Sequence, residues 1–262
     1  MDLKNSTILI TGGTSGIGLE LVKQLTDLGS TIIVTGRKAD ALAETKKQFP
    51  NVFTFQSDVS KAIDIEQLYL DVTSQFPNLN IIINNAGLMR LIDLQDTSLD
   101  LENINVEIAT NLTGTIQMVH QFLPHLLKQK SAGIVNVSSG IAFMSYSSAP
   151  VYSATKAGVR AYTQALRLQL EGTNVKVFEM IPPGVKTKLQ DDWIKQPNDS
   201  MMMNADEMVK VAIKGLLADK KELKPFVISI IKLAARIFPN TLLNFGHREF
   251  KAIKKLQKEK LS

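Results

Sequence analysis

The run Thr11-Gly12-Gly13-Thr14-Ser15-Gly16-Ile17-Gly18 constrains the fold of this chain more than any other stretch. It follows a short apolar segment, Thr7 to Ile10, and precedes a helix-like run, Leu19 to Leu28. Strand, glycine turn and helix therefore fall within the first thirty residues. Such a turn aims backbone N–H groups and a helix N-terminus at one point, where a phosphate can sit. Glycine suits it because a Cβ would obstruct both the tight turn and the close approach of a ligand. Alone, the same run also fits an ordinary strand–helix connection, so the rest of the sequence has to decide.

Strand-like runs recur at Thr7–Thr11, Ser30–Thr35, Val52–Ser57, Leu79–Asn84, Gly133–Ser138 and Val175–Ile181. They are rich in Ile and Val and alternate little, the pattern of strands buried on both faces. Helical patterns separate them at Gly18–Leu28, Ala39–Gln48, Ile63–Phe76, Leu101–Gln129 and Tyr152–Glu171. This alternation predicts an α/β fold, a doubly wound parallel sheet with helices on both faces in one domain. A further helix is expected from Asn204 to Ala218, opened by a capping-box pattern with Glu207. The segment 187–203 breaks the rhythm and reads as a lid loop, with Trp193, Pro197 and three methionines.

A chain of 262 residues with 44% hydrophobic residues supports one large core. With no cysteine, disulfides and thiolate metal sites are excluded. His120, His125 and His247 lack metal-ligand spacing, so no metal site is expected. The N-terminus carries no apolar leader and no unbroken 18-residue apolar run occurs, which predicts a cytoplasmic protein. The net charge of +5 is concentrated: residues 220–262 hold eleven Lys and Arg against three Glu, and the remainder of the chain is slightly acidic. That distribution argues against nucleic acid as a general partner. From Leu242, Leu243, Phe245, Phe250, Ile253 and Leu256 recur at near-helical spacing among Lys251, Lys254, Lys255, Lys258 and Lys260. Such a helix can pack on its own subunit or a neighbour, or make weak peripheral contact with an anionic membrane.

Tyr152 and Lys156 lie four apart on one helix face, where an ammonium can lower the pKa of a phenol. Ser139 stands thirteen residues earlier, at the end of a strand-like run. Asn84-Asn85-Ala86-Gly87 ends another. These features, in this order after the glycine turn, resemble the short-chain dehydrogenase/reductase family over residues 5 to 190. The C-terminal segment is similar to that of a bacterial subgroup associated with lipoteichoic-acid D-alanylation loci.

The resemblance implies a Rossmann-like dinucleotide-binding and catalytic domain over 1–224, with 225–262 a basic extension packed on it or at an interface. It implies an oxidoreductase interconverting a carbonyl and an alcohol through Asn111, Ser139, Tyr152 and Lys156. Tyr152 would be the proton donor, Ser139 the holder of the substrate oxygen, and Asn111 the ligand of a relay water. Gly12, Thr14, Ser15, Gly16, Ile17 and Gly18 would hold the cofactor diphosphate, and Asn85, Ala86 and Gly87 would line the cofactor. Asp58 and Val59 would meet the adenine, although Asp58 equally suits a helix cap. Pro183, Gly184, Val185 and Thr187 would flank the nicotinamide, with Tyr152 and Lys156. Arg37 and Lys38 follow the second strand where an acid would select NAD, so NADP is the expected cofactor. Met89, Phe143, Met144, Tyr146, Leu189 and Trp193 could line an apolar pocket for a small-molecule substrate. A homodimer or tetramer through the helices carrying Asn111 and Tyr152 is implied. The competing reading is a non-catalytic NADP-binding regulatory or redox-sensing protein; a sugar-nucleotide epimerase ranks last.

Overall fold

In the computed structural model, residues 1–187 and 202–261 are described. Seven parallel strands form one sheet in the order β3-β2-β1-β4-β5-β6-β7. They are β1 (Thr7–Thr11), β2 (Thr31–Gly36), β3 (Phe53–Gln56), β4 (Leu79–Asn84), β5 (Ala132–Val137), β6 (Val175–Met180) and β7 (Glu222–Leu223). Thr7–Thr11 pairs in register with Thr31–Thr35 on one side. On the other, Ile8–Ile10 pairs with Ile81–Ile83. The order reverses between β1 and β4, so crossover helices leave in opposite directions and a crevice opens at the strand C-termini.

Ile8, Leu9 and Ile10 are fully buried, as continuous apolar strands must be when helices cover both faces. On one face α1 (Gly16–Asp27) and α7 (Ala205–Leu217) bury Leu21, Val22 and Leu25 with Met208, Val209 and Leu216. On the other, α3 (Ala62–Gln75), α5 (Gly114–Leu126) and α6 (Pro150–Gln169) contribute Ile65, Leu68, Met118, Phe122 and Leu166. The short α2 (Ala39–Gln48) adds Leu42 beside β2. As the sequence predicts, Asn204 opens α7, with its backbone N–H donating to Glu207 Oε2 at 3.3 Å.

The structure departs from expectation in three places. The long helix expected over Leu101–Gln129 is α4 (Leu101–Glu107), a wide π turn (Ile108–Thr113) and α5, which stops at Leu126. The two-residue β7 is an added edge strand. The basic extension forms two helices, α8 (Phe226–Ile237) and α9 (Pro239–Leu261). Both dock beside the crevice: Ile228 is buried and packs over Gly140, His247 Nδ1 lies 2.9 Å from Ser147 Oγ, and Lys254 pairs with Asp93. Most of the expected lid, residues 188–201, lies outside the described residues, as do the side chains of Leu256, Lys258 and Lys260. No single described helix is long and apolar enough to cross a membrane.

The glycine turn needs its glycines for two different reasons. Gly12 has φ of +65°, which disfavours any side chain. At Gly18 the constraint is contact, since a Cβ would lie 2.2 Å from Gly12 O and 2.5 Å from Asn85 Nδ2. Gly18→Ala is expected to destabilise the protein by about 2–3 kcal/mol through overpacking. Thermal unfolding of the purified variant checks this.

Candidate active site

A cavity of about 1660 Å3 occupies the crevice. Single small-ligand pockets span roughly 300–1,000 Å3, so a dinucleotide and a substrate can share this one. One end is walled by the glycine turn: Gly12, Thr14, Ser15, Gly16, Ile17 and Gly18 all line it. Ser15 caps α1 without a side-chain hydrogen bond, which leaves first-turn N–H groups available to an anion. Arg37 and Lys38, where β2 ends, line the same end, and among the described lining residues there is no Asp, Glu or His.

The turn after β4 is tied to the glycine turn by side-chain bonds. Thr11 Oγ1 accepts from the backbone N–H groups of Asn85 and Ala86, both at 3.0 Å. Asn85 Nδ2 donates to Thr11 O and Gly12 O at 3.0 and 3.1 Å. Asn85, Ala86 and Gly87 thereby form a fixed cavity wall. Opposite, Pro183, Gly184, Val185 and Thr187 line the cavity after β6, and the Thr187 side chain packs against Gly16. These residues fit a dinucleotide: open N–H groups and cations at one end, a rigid backbone wall along the other.

At the far end stand Ser139, Tyr152 and Lys156, from the C-terminus of β5 and the first turns of α6. All three are buried yet line the cavity. The Ser139 hydroxyl lies close enough to the Tyr152 phenol to favour its ionised form. Lys156 Nζ donates to Val137 O at 2.9 Å and lies 5.6 Å from the Tyr152 ring centre. Burial pushes Tyr152 up to about 12, partly opposed by the Ser139 hydroxyl, with Glu107 adding a small upward push. Burial likewise pushes Lys156 down to about 8. In the protein alone, desolvation of the phenolate is the largest influence on Tyr152. A cationic ring in the cavity would supply the missing positive charge.

Asn111 sits in the π turn and is buried, behind the cavity wall rather than in it. Its Oδ1 accepts from Leu88 N at 2.9 Å; its Nδ2 donates to Leu88 O at 2.9 Å and Thr155 Oγ1 at 3.1 Å. One turn earlier Glu107 Oε1 accepts from Arg90 N at 2.9 Å. Together the two side chains clamp the backbone of Leu88 to Arg90. A wide helical turn at a functional residue re-aims side chains in this way.

Asp58 also takes part in a local turn. Its carboxylate accepts from Ser60 N and Ser60 Oγ at 3.0 and 2.8 Å, forming a turn before α3. Ser57 and Val59 line the cavity, and Asp58 does not. It is not the helix cap either, since Lys61 holds that position. Of the expected apolar pocket, Met89, Met144 and Tyr146 line the cavity, whereas Phe143 carries Arg160 on its ring at 4.3 Å. Leu189 and Trp193 lie outside the described residues. Sequence reasoning missed Thr11, Arg90, Glu107 and the cavity-lining part of the extension, Val227, Ile231, Leu242, Phe245 and Arg248. Among the described residues no cluster could hold a metal ion.

The sequence model of the short chain dehydrogenases matches residues 6–198. The chain is similar to the oxidoreductase DltE of Bacillus subtilis, whose role is uncharacterised, with 42% identity over 224 residues, 85% of this chain and 89% of that one. Its fold is similar to a short chain dehydrogenase/reductase of Burkholderia phymatum solved with NAD: TM-score 0.80, 20% identity, 92% of this chain and 97% of that one. A short chain dehydrogenase of Burkholderia cenocepacia solved with NADP gives TM-score 0.77 at 23% identity, with the same coverage.

The buried lysine carries a testable cost. Its pKa in the folded protein lies below the unfolded value, so the unfolded chain binds the extra proton between about pH 8 and 10.5. The contribution of Lys156 to stability therefore rises with pH through that window. At pH 7 cofactor-free Lys156→Met is expected to be more stable than wild type by about 2–3 kcal/mol. The advantage should vanish above pH 10.5, checked by thermal unfolding across pH.

Proposed function

Because the chain belongs to the short-chain dehydrogenase/reductase family, as an NAD(P)-dependent oxidoreductase of its DltE-like group, we propose that it interconverts a carbonyl and an alcohol with NADP as preferred cofactor. The observation that carries this reading is one cavity with Tyr152, Ser139 and Lys156 at one end and Arg37 and Lys38 at the other. When bound, the reduced cofactor supplies a hydride to the carbonyl carbon. The chain's own residues do the rest. Ser139 and Tyr152 hold the carbonyl oxygen between two hydroxyls. Tyr152 gives its proton to that oxygen as negative charge develops there. Lys156, held by Val137 O, offers its remaining N–H groups to cofactor hydroxyls and favours the phenolate left behind. Asn111 holds the Leu88 backbone and remains the candidate ligand of a relay water. The apolar lining excludes bulk water.

The NADP preference rests on Arg37 and Lys38: two cations and no acid suit a 2′-phosphate. Self-association as a dimer or tetramer is part of the same reading. Ile108 and Ile116 beside α5 and Ala154, Ala157 and Ala161 on α6 are exposed, an outward apolar face that a second subunit can cover. Val119 and Leu166, on the same two helices, are buried in the subunit's own core. Peripheral membrane contact through the extension is supported by Phe226, Ile230, Leu233 and Ile237, an exposed apolar stripe on α8. A cytoplasmic location belongs to the same reading.

Tyr152→Phe separates an enzyme from a cofactor-binding sensor. Turnover of a ketone panel should fall at least a thousandfold while NADPH affinity, measured by fluorescence, stays within about threefold. Equal reduction rates in wild type and variant would defeat the proposed acid. Arg37→Asp is expected to cost NADPH at least tenfold in Kd, about 1.4 kcal/mol, and to leave NADH binding little changed.

A further inference from the structure

The substrate end of the cavity is built for negative charge. Two cations beyond the catalytic set line it, Arg90 and Arg248. The same cavity is also lined by Met89, Tyr146, Val227, Ile231, Leu242 and Phe245, apolar save for the Tyr146 hydroxyl. The described lining carries no acid anywhere.

Arg90 is held rigidly. Nη1 donates to Asn103 Oδ1 and Nη2 to Asn103 O, both at 2.6 Å. Glu107 Oε2 lies 3.6 Å from Nη2. Glu107 is fully buried and outside the lining, so it balances Arg90 from behind and leaves the cavity side cationic. The guanidinium keeps partial exposure, 30% for the side chain, and donors beyond those used. Arg248 makes no hydrogen bond or ion pair among the described residues, although it faces the same cavity. It stands two residues after Gly246, which packs on Ser145 and Tyr146. Ile92 N, two residues after Arg90, donates to Ser148 O at 3.0 Å. Both arginines therefore border the loop 145–148 that leads into α6 and Tyr152.

A guanidinium on an apolar wall gains most from an anion that accepts its paired N–H groups. We propose that the substrate is an anionic amphiphile: a carbonyl or alcohol with an apolar chain and an acid group, the acid held by Arg248 and Arg90. The acid group is bound and not transformed, so the hydride and proton balance of the reaction is unchanged. This inference rests on the oxidoreductase reading of the site.

The test compares 4-oxodecanoate with its methyl ester as substrates of the full-length protein with NADPH. Calorimetry on the NADPH-loaded protein compares decanoate with decanamide. The acid is expected to exceed the ester at least tenfold in kcat/KM, and decanoate to bind at least tenfold more tightly than decanamide. Arg248→Leu should erase most of both ratios and Arg248→Lys should keep part of them. Arg90→Leu should do the same where it folds; Arg248, on an exposed helix face, keeps the test open where it does not. Equal handling of acid and ester, or ratios unmoved in Arg248→Leu, overturns the proposal, even if both ketones are reduced. If neither ketone is turned over yet decanoate binds selectively through Arg248, the anion site stands and the carbonyl-reduction reading falls. If neither is turned over and decanoate binds no better than decanamide, the proposal fails.

Discussion

Parallel strands cannot be joined by tight turns, and this constraint places everything else. Each connection must cross a face of the sheet, and the crossovers from β1 and β4 depart in opposite directions. No helix can then cover the strand C-termini between them. The glycine turn, the Asn85–Gly87 wall and the ends of β5 and β6 all open into that uncovered space. The chain lines it with open N–H groups, Arg37 and Lys38 at one end, and with buried hydroxyls, Lys156 and further arginines at the other. A charged dinucleotide and a polarised substrate carbonyl are complementary to those two ends.

The catalytic end stores an unfavourable arrangement. A phenol pushed up to about 12 and an ammonium pushed down to about 8 share a buried corner. In the protein alone, burial makes both charged forms less favourable than in water. A bound oxidised nicotinamide adds a positive charge to the same cavity, and water leaves. On the proposed reading, cofactor binding and acid–base competence are coupled: the pair would act as a proton shuttle once the cavity's charge changes. The polar network behind the wall keeps this corner rigid. Asn84 Nδ2 donates to Asn136 Oδ1 at 2.8 Å, and Asn136 Nδ2 to Thr163 Oγ1 at 2.9 Å, linking β4, β5 and α6 in the core.

Much of this was legible in the sequence, for identifiable reasons. Ile- and Val-rich runs marked six of seven strands because burial on both faces leaves no alternation to misread. Glu222–Leu223 escaped because an edge strand of two residues, flanked by Lys221 and Lys224, carries no apolar run. Asn111 was identifiable by type and place, but its π turn was not, since a one-residue widening leaves helical periodicity almost intact. The Tyr152–Lys156 spacing gave the pairing but not the extent of burial, because spacing says nothing of desolvation. Asp58 makes a local turn the sequence did not announce, because Ser60 offers its N–H and hydroxyl to one carboxylate oxygen, Oδ1. The basic extension read as an amphipathic segment packed on the domain or at an interface. That it lines the substrate end depends on tertiary contacts such as Ile228 over Gly140 and Lys254 with Asp93. Arg90 and Glu107 were missed because a clamp between a loop and a helix seventeen residues away has no periodic signature.

The central claim is that positive charge in the cofactor site switches Tyr152 from a neutral phenol to a proton shuttle. It is tested most directly by NMR of protein carrying ring-carbon-labelled tyrosine, with Tyr152 assigned from the Tyr152→Phe spectrum, at pH 9. The account predicts a neutral phenol signal for Tyr152 in the protein alone and a substantial phenolate fraction on saturation with NADP+. A phenolate already present without cofactor, or a phenol signal unmoved by saturating NADP+, would contradict it.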